Sequence, residues 1–248
     1  MLPVRALHLG HLTMDFAAAV TGRTGELRMP VGAFLVEHPS GLVLFDSGMH
    51  PDLVRSTERL GPLGAGLTIE LDEAELVGAR LAAVGVDPRE IAVVVTSHLH
   101  FDHCGGHAQL PNARIVVQRA EWEAARNERL IAAGIYNPGD FDLGHDIQLV
   151  DGPQDLFGDG TLRLVPTIGH TPGHQSLVID DHSVLVGDAC YCQLALDEDA
   201  LPAFAWDRAQ QLATFAWLRQ QQADGRELLF AHDQANWPAP TGVPSGTE

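Results

Sequence analysis

Five short apolar runs in this sequence each end on a histidine or an aspartate. They are 42-LVLF-45 before Asp46, 91-IAVVVTS-97 before His98, 161-TLRLVPTIG-169 before His170, 183-SVLVG-187 before Asp188 and 227-ELLFA-231 before His232. Runs of this length and β-branched content form buried strands, so the polar residue that closes each one emerges where the sheet ends. Ligand sites of layered α/β proteins gather at the carboxyl ends of strands. Five such ends constrain the chain to a sheet-based fold in which they converge on one site.

The densest of these ends is 96-TSHLHFDHCGG-106. His98 and His100 stand at i and i+2, which in extended backbone puts both imidazoles on one face. They can then reach one cation at about 2.0–2.1 Å. Asp102 and His103 are adjacent, point differently and suit a second cation. A carboxylate shared by both ions would hold them roughly 3.5–4 Å apart, and Asp188, behind its own strand, is the candidate. His170 completes the first shell and His232 the second. Imidazoles and carboxylates packed this closely need a cation to offset their burial. A structural zinc clip would favour a closed, cysteine-rich shell. Cys104, Cys190 and Cys192 lack ligand spacing and read as small buried hydrophobes. The remaining histidines, among them His8, His11, His38, His50, His145 and His182, read as ordinary surface or hydrogen-bonded residues.

Composition removes several other chemistries. The 248 residues carry 15 basic and 33 acidic side chains, a formal charge of −18, and every basic residue is arginine. Without lysine, Schiff-base catalysis and a phosphate-binding P-loop are excluded. Such an acidic chain repels nucleic acid and anionic membrane surfaces. The odd number of cysteines, two of them only two apart, fits a reducing compartment. The N-terminal stretch has no long apolar core and no run approaches the roughly 18 residues of a bilayer span. The expectation is a soluble cytoplasmic protein.

Further strands are expected over 31–37, 114–118 and 176–180, and helices over 72–85, 119–134 and 207–223. Strands come in hairpin-like pairs as well as before helices, which predicts mixed sheets covered by helices. The stretch 12–32 reads as a long loop. Residues 1–236 are expected to form one domain, with 237–248, rich in Pro and Gly, as a flexible tail.

The motif H-L-H-F-D-H, the downstream 169-GHTPGH-174 and the later Asp188 and His232 resemble the metallo-β-lactamase superfamily over nearly the whole chain. The resemblance implies an α/β fold, an αββα sandwich of two mixed sheets flanked by helices. It also implies a two-metal site: His98, His100 and His170 on one ion, Asp102, His103 and His232 on the other, Asp188 between them. Asp46 and His174 match supporting positions. Zinc is the first expectation for both ions, with iron, manganese or cobalt as alternatives. The strings HLHFDHCGG, IVVQRAEWEAA, GHTPGHQSLVI and GDACY are similar to the N-acyl homoserine lactone lactonases. There Tyr191 matches the tyrosine placed over the metals and Phe101 a substrate-pocket residue.

The resemblance implies a small-molecule lactone as substrate, attacked at its carbonyl by hydroxide. Tyr191 would stabilise the oxyanion and Asp102 would deliver the proton to the leaving alcohol. It also assigns 12–32 to a homodimer contact and 119–125 to scaffold. One departure stands out: 51-PDLVRSTERLGPLGAGLTIELDE-73 has no aromatic residue where these enzymes line the acyl channel with aromatics. It offers Leu53, Leu60, Leu63, Leu67 and Ile69 instead, so acyl specificity does not carry over. The competing readings are thioester hydrolysis of the glyoxalase II type, an iron-dependent persulfide dioxygenase and a non-catalytic sequestering module. The first is disfavoured because only Arg208, Arg219 and Arg226 are basic after residue 190.

Overall fold

The computed structural model describes residues 1–237. Seven strands make the larger sheet: β1 (Val4–Asp15), β2 (Glu26–His38), β3 (Gly41–Phe45), β4 (Thr68–Glu70), β5 (Ile91–Val95), β6 (Arg114–Gln118) and β7 (Ile147–Val150). Their order is β4-β1-β2-β3-β5-β6-β7. The second sheet joins β8 (Gln154–Asp155), β9 (Leu162–Pro166), β10 (Gln175–Ile179), β11 (Ser183–Gly187) and β12 (Glu227–Phe230), in the order β12-β11-β10-β9-β8. Both sheets are mixed. β3, β5, β6 and β7 run parallel, as do β11 and β12, and the other pairings are antiparallel.

The alternation of side chains along each strand builds two cores at once. Phe34, Val36, Val43, Phe45, Val93 and Val95 of the larger sheet meet Leu162, Leu164, Leu177, Ile179 and Leu185 of the smaller one. The intervening residues point the other way. Leu35, Leu44 and Val94 pack with Val77 and Leu81 of the helix Val77–Ala83, and Val178, Val184 and Val186 with Phe215 and Leu218 of the helix Arg208–Ala223. Strands buried on both faces read as continuous apolar runs, which is why the sequence showed them so clearly. The result is the expected sandwich: helix, sheet, sheet, helix. The Arg208–Ala223 helix is also the crossover that parallel β11 and β12 require. It starts where the Asp207 carboxylate accepts the amides of Ala209 and Gln210, a side-chain N-cap.

Parallel pairing has a functional consequence. β3 and β5 end at the same edge of the larger sheet, and β9, β11 and β12 at the same edge of the smaller one. Gln175 holds the two sheets together near these ends. Its amide N–H donates to Ser97 O, and its side chain donates to Thr96 O and Val116 O.

Several expectations need correction. The stretch 12–32 is not a long loop but the paired ends of β1 and β2, joined through residues 16–25. A register shift between His8 and His11 breaks the two-residue alternation in β1, which hid the strand. The helix expected over 72–85 is interrupted at Leu76, in extended backbone with ψ 145°. The one expected over 119–134 divides at Asn127, whose side chain caps a second helix, Glu128–Ala132. Trp237, assigned to the tail, is buried against Phe34 at 5.0 Å and donates to Ala231 O. The rest of the proposed tail, 238–248, lies outside the described residues.

Candidate metal centre

The strand ends deliver their polar residues to one place. Asp46 follows β3, Ser97 and His98 follow β5, His170 follows β9, Asp188 follows β11 and His232 follows β12. The short helix Phe101–Cys104 adds Asp102 and His103. Two triads form, His98–His100–His170 and Asp102–His103–His232, each with its donor atoms within 4.8 Å of one another. Asp188 lies between them and divides its two oxygens. Its Oδ2 is 3.4 Å from His170 Nε2 and 3.8 Å from His98 Nε2. Its Oδ1 is 3.0 Å from His232 Nε2 and 3.2 Å from His103 Nε2.

These spacings fit a pair of cations. Four tetrahedral ligands at about 2.0–2.1 Å imply donor–donor edges of roughly 3.3–3.4 Å. In the first triad His98 Nε2 and His100 Nδ1 are 3.0 Å apart, and His100 Nδ1 and His170 Nε2 are 3.1 Å apart. In the second, Asp102 Oδ2 is 3.6 Å from His103 Nε2 and 3.7 Å from His232 Nε2. The edges with Asp188 run from 3.0 to 3.8 Å. His103 Nε2 and Asp188 Oδ1 are also buried without a hydrogen-bond partner, an arrangement that is costly unless something else satisfies them.

Proton accounting shows that the protein turns the right nitrogen of three ligands inward. Asp46 accepts from Ser97 N at 2.7 Å and from the Ser97 hydroxyl at 2.9 Å. The Ser97 oxygen, having given its proton away, accepts from His98 Nδ1 at 2.9 Å, so His98 Nε2 carries the lone pair. His103 Nδ1 donates to Asp46 Oδ2 at 2.8 Å and His232 Nδ1 donates to Pro30 O at 2.8 Å. With Nδ1 so engaged, Nε2 of each ring faces the site. Such outer partners fix tautomer and ring orientation for metal binding. Asp46 sits at φ 61°, a left-handed conformation that aspartate tolerates better than most residues.

His174 stays outside both triads. Its Nε2 accepts the Asp188 amide at 2.9 Å, and its Nδ1 donates to the Thr167 hydroxyl at 2.9 Å. Thr167 continues to Ser176 and Ser176 to Val186 O. A side chain at Gly187 would place its Cβ 2.9 Å from His174 Nε2. Glycine there lets β11 come close enough for that imidazole to hold the backbone of Asp188.

The protein's own charges divide the two triads. Burial drives His98 and His170 well below the usual imidazole range and His100 down to about 4. All three are neutral at pH 7, as metal binding through imidazole nitrogen would require. Burial also opposes charge on His103, but Asp188, Asp102 and Asp46 outweigh it and raise its pKa well above the ordinary value. Asp188 shows the reciprocal effect. Its burial is overcome by His103 and His232, which hold its carboxyl well below the usual range.

Sequence reasoning treated 119–125 as scaffold and missed the part Glu121 plays. This fully buried carboxylate accepts the amide of Leu99, between His98 and His100, at 3.1 Å. It also accepts the amide of Gly173 and the Tyr136 hydroxyl, at 3.1 and 3.0 Å. One side chain thereby ties together the backbones that carry His98, His100 and His170. A glutamate within an amphipathic helical pattern gives no signal of partners so distant in sequence.

Above the ligands lies a cavity of about 280 Å³. Its floor is His100, Asp102, His170, Asp188 and His232, and its walls include Leu12, Met14, Phe101, Tyr136, Tyr191 and Pro172. Tyr191 is buried, with its ring 5.4 Å from that of His232 and 5.7 Å from that of His170. Of the leucines in 51–73, Leu63 and Leu67 line the cavity, whereas Leu53 and Leu60 belong to the core. The aromatic wall comes from elsewhere. Phe204 and Trp206 line the mouth while 48% and 58% exposed, and backbone bonds Trp206 N to His170 O and Asp207 N to Gly169 O seat them on the His170 loop.

Residues 28–231 match the metallo-beta-lactamase superfamily. The N-acyl homoserine lactonase AttM of Azorhizobium caulinodans is 33% identical over 234 residues, covering 88% of this chain and 87% of its own. An N-acyl homoserine lactonase of Bacillus cereus is 32% identical over 217 residues, covering 84% and 82%. The crystal structure of an N-acyl homoserine lactone hydrolase, with the product N-hexanoyl-L-homoserine at its catalytic metal centre, superposes with a TM-score of 0.83. It is 25% identical to this chain, and the match covers 94% of this chain and 93% of that one.

Proposed function

The chain belongs to the metallo-β-lactamase superfamily, and from that premise we propose that it is a metal-dependent hydrolase that opens the ring of N-acyl homoserine lactones. The observation that carries this reading is the contrast between floor and walls of one cavity. Two ligand triads sharing Asp188 lie beneath an apolar enclosure sized for a small acylated ring. The relatives named above are lactonases over most of their length, which supports the same substrate class.

His98, His100 and His170 would hold one divalent cation and Asp102, His103 and His232 the other, with Asp188 between the two sets. Zinc suits this nitrogen-rich set with few carboxylates. When bound, such a pair supplies Lewis acidity and a water acidified toward neutral pH. The chain's own groups do the rest. The apolar walls take the acyl chain and exclude water, which fixes the lactone carbonyl over the floor. Burial and the nearby Asp188 keep the Tyr191 phenol well above its ordinary pKa, so it stays a proton donor at pH 7. It donates to the carbonyl oxygen as that oxygen gains charge. The carbonyl carbon gains a C–O bond from water and loses the ring C–O bond. Asp102 carries the proton given up by the water to the departing alkoxide. The products are a carboxylate and an alcohol, with net release of one proton near neutrality. Three free cysteines support a reducing, cytoplasmic setting.

The test is proton release from N-hexanoyl homoserine lactone, read with a pH indicator, before and after chelation and after zinc is restored. Release that is lost on chelation and regained with zinc is expected. Cleavage of S-acyl glutathione but of no lactone would overturn the substrate assignment.

A further inference from the structure

A second cluster of metal-binding side chains lies outside the site described above, on β1. His8, His11 and Glu75 place one donor atom each within 4.8 Å of the others, all partly exposed. Residues three apart on a regular strand point to opposite faces, so two histidines at 8 and 11 should diverge. They do not, because the strand is bulged between them. His8 pairs with Gly32 and His11 with Pro30, so three steps on β1 face two on β2. The extra residue turns both imidazoles to one side. Gly10 makes the bulge feasible. It sits at φ 93°, and a Cβ there would meet Glu70 O at 2.7 Å.

The two Nε2 atoms end 3.3 Å apart, close to the roughly 3.3–3.4 Å edge of a tetrahedron around a cation bound at 2.0–2.1 Å. Glu75 faces the other side of His8, with Oε1 3.5 Å from Nδ1. Its orientation is set independently. Glu75 Oε2 accepts the Asp72 amide, and Asp72 in turn caps Glu75, a reciprocal capping box. A carboxylate near Nδ1 favours Nε2 of His8 as the lone-pair nitrogen, a longer and weaker contact than the 2.8 Å hydrogen bond that orients His103. Arg80 also approaches Glu75 Oε1, at 3.7 Å. Glu75 therefore has a cation of its own and is better placed to orient His8 than to give up its oxygen as a ligand. Burial pulls His8 down to about 4 and lowers His11, so both imidazoles are unprotonated at pH 7.

We propose that His8 Nε2 and His11 Nε2 form a separate, solvent-accessible site for a borderline divalent transition cation such as zinc, with Glu75 as the carboxylate that positions His8. Water fills the remaining coordination positions. Two protein ligands make this site weaker than the catalytic pair, and none of its residues belongs to the catalytic floor or lines the cavity.

Equilibrium dialysis of the intact protein against buffered free zinc, with zinc counted per chain by mass spectrometry, tests it. The wild type should pass a plateau at two equivalents and take up a third at higher free zinc. His8→Gln and His11→Gln should stop at two with unchanged lactone hydrolysis, which also shows that they fold. Glu75→Gln should weaken the third equivalent about 10–100-fold, the usual effect of losing an orienting partner. A wild type that stops at two equivalents overturns the proposal, as does a third equivalent retained in both histidine variants. Failure of the first two equivalents to bind would instead strike the catalytic reading, so the outcomes are separable.

Discussion

The floor and the mouth of the cavity are built on opposite principles. Beneath the floor, four of the candidate ligands are held by a further group: His98 by Ser97, His103 by Asp46, His232 by Pro30 O, and the backbone of Asp188 by His174. The candidate ligands are almost fully buried, apart from the partly exposed His100. The mouth is apolar, exposed at Phe204 and Trp206, and fixed chiefly through its backbone. Chemistry needs donor atoms set to a few tenths of an ångström, whereas recognition of a flexible acyl chain needs only apolar area. Changes to the floor should therefore alter turnover and metal content, and changes to the mouth should alter substrate preference.

The largest effect is expected from Asp102→Ala. In the proposed mechanism it removes a ligand and the proton carrier together, and kcat should fall by at least about 10²–10⁴-fold, the range for loss of a positioned acid–base group. A smaller loss in steady-state hydrolysis would remove Asp102 from the chemistry. Tyr191→Phe should lower kcat about 10²–10³-fold, as for loss of one oxyanion donor, with metal content intact. If KM rises instead and kcat holds, Tyr191 is wall and not chemistry.

Asp46→Asn tests the hydrogen bonds beneath the floor. Asparagine accepts the left-handed backbone at this position but offers His103 an uncharged partner. The second cation should bind about 10–100-fold more weakly, with a smaller loss at the first, which Asp46 reaches only through the Ser97 hydroxyl. Equal loss at both sites in a metal titration would mean that Asp46 supports the fold rather than His103. The mouth should give the mildest change. In Phe204→Ala and Trp206→Ala, kcat/KM is expected to drop by up to about four-fold for each methylene that loses its apolar contact, from about 0.8 kcal/mol per CH₂. Butanoyl homoserine lactone should be nearly unaffected. An equal drop across acyl lengths would contradict the division of labour.

The same contrast explains what was legible in the sequence. The candidate ligands were visible because His98, His170, Asp188 and His232 each come just after an apolar strand and His100, Asp102 and His103 crowd the stretch after β5, and the strands were visible because both of their faces are buried. β1 was not, since the bulge at Gly10 breaks its alternation and its polar histidines look like loop. The break at Leu76 and the second start at Asn127 were invisible for a related reason, because caps decide helix ends and they lie inside otherwise periodic stretches. Glu121 and the Phe204–Trp206 wall depend on contacts across more than twenty and more than thirty residues. No local pattern encodes those contacts. The segment 51–73 gives the cavity Leu63 and Leu67, and the exposed aromatics at its mouth come from the stretch just before the Arg208–Ala223 helix.

In the proposed mechanism ring opening needs two cations, with Asp188 between them. The most direct measurement is to strip the protein of metal, add zinc stepwise and follow proton release from N-hexanoyl homoserine lactone at each step. Activity should stay low through the first equivalent, rise with the second and be unchanged by a third. It should remain low throughout in His103→Ala. Full activity at one equivalent, or a wild-type profile in His103→Ala, would contradict the two-metal assignment.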